Sequence, residues 1–474
     1  MSSYLDRAIV IGLLLVIVLT ALAHGAVEPW SVLLMELSIS ALIMIWGIKT
    51  FVDRRVSLVV PPVIWPIAAF AALGLVQSIT LTDSGGSWRS LSFDVEATRG
   101  TVIVLVFVIV FGLLSASFLA DRLQMLAKFL AIYGLVLAFL AVLQHFTEIH
   151  SLMWWRTAEA DPFGSFVNRN HFAGYMELLL PWSVVMIYAR RGNPGEQFFY
   201  GFAATWMGAA AVISLSRGGI ISIFSELMLL GILSRYLMQE TAGRQSWQGS
   251  NQVTQSVTQL VMGRLVRLGL VAAIVAAITA GVFWLGAEPI INRITTGNAT
   301  GTVPLPASGQ GSGRLDTWRD TWNIIRANPI IGVGLGAYET AYPIYAKDNG
   351  LTGIVAQSHN DYLQVLADSG IVGGLILLWF MGTVCWAIIR GLKAPDPFLV
   401  KVTIAGGVGI FGIMVHSLFD FNLQLPSHAL LFCLLSVVVS PISATSPELV
   451  AILKVKGPEL TALAGKSGVR SRGL

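Results

Sequence analysis

Charge is scarce in this chain. Only 12% of its 474 residues are Asp, Glu, Lys or Arg, about half the share carried by ordinary soluble domains, while 55% are hydrophobic. That balance excludes a soluble globular protein. Cysteine is nearly absent as well. Cys385 and Cys433 both fall in apolar runs, which predicts small buried apolar residues and not a disulfide or metal ligands. No His/Cys/Asp cluster has zinc spacing, no EF-hand loop occurs, and there is no Gly-Lys-Ser/Thr phosphate loop. The sequence therefore offers no metal centre and no ATP-driven pump. The net charge of +4 lies mostly beside apolar runs, where Lys and Arg face anionic lipid. Membrane lipids, and not nucleic acid, are the expected partners.

What is abundant is the apolar run. Windows of about 20 apolar residues suffice to cross a hydrocarbon core of about 30 Å as helices. They recur near 8–25, 30–48, 57–78, 100–120, 124–146, 171–189, 198–215, 218–237, 267–286, 370–390, 398–418 and 428–445. The expected fold is thus an all-α integral membrane protein of about twelve transmembrane helices. Pro61, Pro62 and Pro66 predict a kinked or late-starting third helix. Ser216-Arg217-Gly218-Gly219 splits one long run in two.

The distribution of Lys and Arg orients the spans. With both termini inside, about two thirds of the 30 basic residues fall on the inner side, including Lys49, Arg54, Arg55, Arg122, Lys128, Arg190, Arg191, Arg390, Lys393 and Lys401 at short loops. The first apolar run is too long for a cleavable signal and no small-residue cleavage site follows it. The expected organisation is residues 1–286 as spans one to nine, 287–369 as a large, partly helical outer loop, 370–445 as spans ten to twelve, and 446–474 as a basic inner tail. A Gln/Ser/Thr-rich stretch, 238–266, reads as an inner linker.

The outer loop holds most of the unusual chemistry. It opens on a Thr/Gly/Pro/Ser-rich part, 295–313, expected to be irregular. From 314 to 327, Leu315, Trp318, Trp322 and Ile325 recur at helical spacing and predict an amphipathic helix ending before Pro329. Gly332, Gly334 and Gly336 suggest tight turns or close backbone packing; no strand–turn–helix unit surrounds them that would make a dinucleotide site. Tyr338, Tyr342 and Tyr345 follow, and 358–368 is helix-compatible. Charges are expected to concentrate outside the spans.

Among the candidates, Arg314 and Arg319 either pair with Asp316 and Asp320 on a solvated face or form an anion site, since guanidinium presents a rigid donor fork that suits phosphate oxygens. Arg217 stands at a helix break on the side disfavoured for positive charge, a costly placement that tends to be functional. His359 is the lone His of the large loop. It precedes a span, has hydroxyl and amide neighbours, and is a candidate general base.

His359-Asn360 is followed after nine residues by Gly370, and Gly373 lies two residues further. With this spacing the chain resembles the O-antigen ligase and O-antigen polymerase superfamily of bacterial envelope glycosyltransferases. Gly313-Arg314-Leu315-Asp316-Thr317-Trp318 and the run from Asn328 to Gly334 look like the family's loop pattern. Further likeness lies in Gly164 to Tyr175, Ser216-Arg217-Gly218-Gly219 and His416-Ser417-Leu418-Phe419-Asp420. It extends from about 160 to 445; the first 150 residues match only in hydropathy.

The resemblance implies transfer of a glycan from an undecaprenyl-diphosphate-linked donor to an acceptor hydroxyl, on the periplasmic face of the bacterial inner (cytoplasmic) membrane. The acceptor would be lipid A-core, another glycan or a protein side chain. No cofactor and no metal are implied. Arg217 and Arg314 would hold the leaving diphosphate, and His359 would serve as base or orient the diphosphate. Arg319, Asn360, Asn170 and Tyr338 would contact substrate. A ligase is favoured; a polymerase differs only in its acceptor. A transporter or flippase for lipid-linked sugar would instead need paired repeats and charges within the spans. A cysteine at Ser312 should react with an impermeant thiol reagent in spheroplasts; protection would reverse the orientation.

Overall fold

The computed structural model describes residues 2–440 except 57, 83–87, 148–150, 153–155, 158–160, 190–192, nearly all of 244–312, and 347–354. The span expected at 267–286, most of the linker 238–266, the first part of the outer loop and the tail 446–474 lie outside the described residues. The rest is helical. Thirteen helices follow in order: α1 Ser2–Leu22, α2 Pro29–Asp53, α3 Ile64–Gln77, α4 Val95–Phe118, α5 Leu123–Thr147, α6 Arg169–Ala189, α7 Pro194–Ile213, α8 Arg217–Gly243, α9 Gly313–Ala327, α10 Tyr338–Tyr345, α11 Asp361–Gly391, α12 Pro397–His416 and α13 Pro426–Val439. Two small antiparallel strand pairs decorate the loops, Thr80–Thr82 with Trp88–Ser90 and Ser151–Leu152 with Arg156–Thr157.

Several helix starts carry a local reason. Asp94 and Asn193 accept hydrogen bonds from Ala97 N and Glu196 N, and Asp396 accepts from Phe398 N. Pro29, Pro194, Pro397 and Pro426 sit in first turns, where the missing N–H costs nothing. The prolines of the third run delay α3 to Ile64, as their ring geometry predicts.

Among the described residues, seven helices, α1, α2, α4, α5, α6, α11 and α12, are long and apolar enough to cross a membrane. The chain is therefore a multi-pass membrane protein. Helices α3 and α13 are apolar but 14 residues long, about 21 Å at 1.5 Å per residue. Central to the bundle is α6, buried at every residue from His171 to Tyr188 and packed against α5, α7, α8 and α12. Helix α12 approaches it through glycine. A Cβ at Gly409 would lie 3.3 Å from Glu177 O and 3.2 Å from Leu178 O, so a bare Cα lets the two backbones close in.

The helices alternate in direction, and one set of their ends meets at a single face. There Ser427 N donates to Gly25 O, Gly164 N to Gln144 Oε1, Leu335 N to Gln77 Oε1, and Asp361 N to Ser417 O. At the opposite face the start of α1 meets the end of α2, with Lys49 Nζ 3.0 Å from Asp6 and Ser2 Oγ bonded to Asp53.

On the first of these faces α9 and α10 form a small unit with its own core, in which Ile324, Val333, Tyr338, Ala341, Tyr342 and Ala367 are buried. It is tied to the bundle in two ways. Gln77, fully buried at the end of α3, donates to Ile331 O (2.6 Å) and Asp368 O (2.9 Å) while accepting from Leu335 N (3.0 Å). Segment 329–332 also crosses α11 at a break in the helix, where Ile371 N and Val372 N donate to Pro329 O and Ile330 O. Gly370 (φ +60°) and Gly332 (φ +71°) make the crossing possible. A Cβ at Gly332 would lie 2.3 Å from Asp368 C and Ser369 N. This is the close packing expected of the glycine run.

Three sequence expectations change. The buried stripe of α9 is Thr317, Asp320, Thr321 and Ile324, whereas Trp322 is 45% exposed. The tyrosines of α10 explain the rotation, because Tyr342 donates to Asp320 Oδ2 (3.2 Å) and the Tyr338 and Thr321 hydroxyls are 2.6 Å apart. Burial pushes the Tyr342 hydroxyl up to about 12, so it stays a neutral donor. Cys385 is exposed on the flank of α11, although Cys433 is buried as expected. And charge is not confined to loops, since Glu177 and Glu226 are fully buried within α6 and α8.

Gly332→Ala should cost roughly 2 kcal/mol or more, because it adds both positive-φ strain and a backbone collision. Limited proteolysis should cut faster within 313–346 in this variant than in wild type, with the bundle helices still protected.

Candidate functional site

The polar residues collected at the crowded face converge on one carboxylate. Asp420 is 1% exposed and lies in the turn between α12 and α13. His359 Nδ1 is 3.2 Å from its Oδ1, Asn170 Nδ2 donates to its Oδ2 at 2.6 Å, and Phe421 N donates to Oδ1 at 3.0 Å. With Asp420 ionised, its carboxylate only accepts, and the His359 proton in this pair sits on Nδ1. The Nε2 lone pair of a 27% exposed imidazole is then left for an outside proton.

The backbone fixes His359 in place. Its φ is +54°, a left-handed conformation costly for a side-chain residue and held only where neighbours over-determine it. Those neighbours are visible. Asn360 caps α11 by accepting from Tyr362 N and Leu363 N, and its Nδ2 donates to Leu418 O. Asp361 accepts from Ser417 Oγ (2.8 Å) and Leu423 N, and Trp318 Nε1 of α9 donates to Ser358 O (3.0 Å). The rings of His359 and His171 both meet Phe421 edge-on, 5.1 and 5.0 Å between centroids.

Arg217 opens α8 at this same face. Leu215 takes a left-handed φ of +58°, Ser216 Oγ caps the helix by accepting from Gly219 N, and Arg217 projects exposed from the first turn. The turn is wedged between α6 and α12. A Cβ at Gly219 would lie 2.6 Å from Ala173 Cβ, and one at Gly218 2.6 Å from the His416 ring. A guanidinium beside a helix N-terminus makes a positive end suited to an anion.

The structure thus brings His359, Asn360, Asn170 and Arg217 to one neighbourhood. Arg314 lies in the first turn of α9, with its side chain outside the described residues. Arg319 is 66% exposed and 3.3 Å from Asp316 on its own helix, the solvated pairing weighed from sequence. Tyr338 is 1% exposed with its hydroxyl against Thr321. Sequence reasoning named Asp420 only as part of a motif. Its signal was the isolated acid within an apolar stretch, between two spans.

Beneath the site lies an apolar cavity of about 250 Å³ between α3, α4, α11, α12 and α13. Ile67, Val104, Leu377, Phe380 and Phe432 line it, and its polar end is Asp361, Ser417 and Gln424. No group of three or more metal-ligating side chains occurs among the described residues.

The family model of the O-antigen ligases matches residues 202–378. The match runs from α7 into α11 and includes Arg217, Arg314, Arg319, Tyr338, His359 and Asn360; Asn170 and Asp420 fall outside it. It is the superfamily that the His359 motif resembles. No curated protein matches the chain.

Removing Asp420 should leave Asn170 and His359 without a shared acceptor. Asp420→Leu is expected to lower stability by about 1–3 kcal/mol. NMR of nitrogen-labelled histidine should show His359 leaving the Nδ1–H tautomer; an unchanged tautomer would dismiss the pair.

Proposed function

We propose, from the match of the O-antigen ligase family model to residues 202–378, that the chain transfers a glycan from a polyprenyl-diphosphate carrier to an acceptor hydroxyl at the face where His359 and Arg217 lie. The observation that carries this reading is the His359–Asp420 pair beside the positive end of α8. The acceptor O–H gives its proton to His359 Nε2 as its oxygen bonds the anomeric carbon. The bond from that carbon to the diphosphate oxygen breaks, and the electron pair departs on the polyprenyl diphosphate.

Asp420 holds the imidazole in the tautomer that can receive the proton and offsets the charge of the imidazolium that results. Arg217, with Arg314 from α9, offsets the charge growing on the diphosphate, and such fixed charge is often the largest part of a rate enhancement. Asn170 steadies Asp420, and Arg319 and Tyr338 belong to the helical unit that covers the glycan. The apolar cavity below Asp361 accommodates part of the isoprenoid chain.

Topology supports a periplasmic site. Helix α8 runs away from this face and α9 lies at it, so an odd number of crossings separates them. The apolar run at 267–286 is the sequence's candidate for such a crossing. The opposite face carries Lys49, Arg122, Arg390 and Lys393, the bias of a cytoplasmic side. The membrane is then the bacterial inner membrane, with both termini cytoplasmic. The ligase-type spacing from His359 to Gly373 favours lipid A-core or a related acceptor over chain polymerisation.

Purified protein given undecaprenyl-diphosphate glycan and acceptor should transfer without added metal. Arg217→Ala, Arg314→Ala and His359→Ala should each lose about 100-fold or more, with thermal midpoints near wild type. Full activity in all three sinks the site. Mass spectrometry of a deletion strain separates the acceptors: uncapped lipid A-core marks a ligase, single unpolymerised repeats a polymerase.

A further inference from the structure

One buried polar pair has no part in that chemistry. Glu177 of α6 and His416, the last residue of α12, are 0% and 1% exposed, with His416 Nδ1 2.8 Å from Glu177 Oε1. Burying such a pair carries a desolvation penalty, and apolar residues of equal volume often serve stability as well or better. Its surroundings point to geometry instead.

The imidazole is pressed against the first turn of α8. A Cβ at Gly218 would stand 2.6 Å from His416 Cδ2 and 2.7 Å from Nε2, so the ring sets how closely the Arg217 turn approaches. His416 also begins the turn that carries Asp420, because its carbonyl accepts from Phe419 N (2.8 Å) and Asp420 N (3.1 Å). Glu177, its partner, lies about two helical turns along α6 from Asn170, the residue that holds the other oxygen of Asp420. Three site-bearing elements therefore meet at one ring. Deeper in the same seam, Ser222 Oγ of α8 donates to Gly412 O of α12 at 2.6 Å and keeps the two helices in register.

We propose that the Glu177–His416 pair is the positioning element of the site, holding the Arg217 end of α8 and the Asp420 turn at one fixed spacing. In substrate terms, which rest on the reading above, it sets the distance between the leaving diphosphate and the base. Neither residue touches the reacting atoms.

The test uses the full chain in lipid nanodiscs. His416→Ala should speed amide hydrogen exchange at 214–220 and at 417–421 together, leaving α4 and α5 unchanged. It should weaken binding of undecaprenyl diphosphate about tenfold. In an Arg217→Ala background the same change should add nothing, since coupled sites are not additive. His416→Asn, whose amide reaches the Nδ1 position, should restore most of both readouts; a structural role alone would not give that rescue or that non-additivity. Unchanged exchange at the two segments overturns the proposal, as do losses that multiply in the double variant. Should wild type fail to bind undecaprenyl diphosphate, the donor reading falls. The exchange pattern then decides this proposal by itself, paired change upholding it and no change overturning it.

Discussion

A buried carboxylate dictates what its neighbours can do, and Asp420 does so for this protein. Inside a helix bundle there is no water to satisfy a charge, so every lone pair must find a donor on the chain. Asp420 finds an imidazole, an amide side chain and a backbone N–H from three separate stretches of sequence. That demand draws α6, the α12–α13 turn and the segment ahead of α11 to one point. It also fixes the proton on His359 Nδ1. The same requirement that stabilises the fold thus decides, for an ionised Asp420, which ring nitrogen keeps its lone pair.

The remaining architecture serves the same end by different means. Gln77 uses both ends of its amide to bind the outer unit to α3 and α11. Glycines at 218, 332, 370 and 409 remove side chains where backbones or rings must nearly touch. Left-handed residues, His359 and Leu215, turn the chain sharply just before α11 and α8 begin. Little of this is hydrophobic in origin. The apolar core makes a bundle, while polar satisfaction and close approach make a site.

Most of the helices were legible because hydrocarbon thickness imposes a length and caps impose an end. Asp94, Asn193 and Asn360 are each short polar residues ahead of an apolar run. The α9 stripe was less legible. Periodicity assigns Trp322 inward, yet Thr317 and Asp320 take that face because the α10 tyrosines offer hydroxyls, and a hydrophobic pattern cannot see a polar partner twenty residues away. Glu177 and Glu226 were obscured for a related reason, since single acids in apolar helices leave the hydropathy of their windows high. His359 stood out by its isolation in the loop. Its relation to Asp420, sixty-one residues on, is a property of packing and is written nowhere in local sequence.

The crossing of Gly332 and Gly370 has a mechanical meaning. Two backbones that interlock without intervening side chains leave no slack for sliding, since close-packed interfaces do not deform continuously. The outer unit is therefore pinned at a constant height above the break in α11. Where the bundle sits in the lipid, so does the face that carries His359 and Arg217, at a set reach from the bilayer surface. On the reading proposed above, an acceptor is then measured by the length of its stalk before it is read by its chemistry.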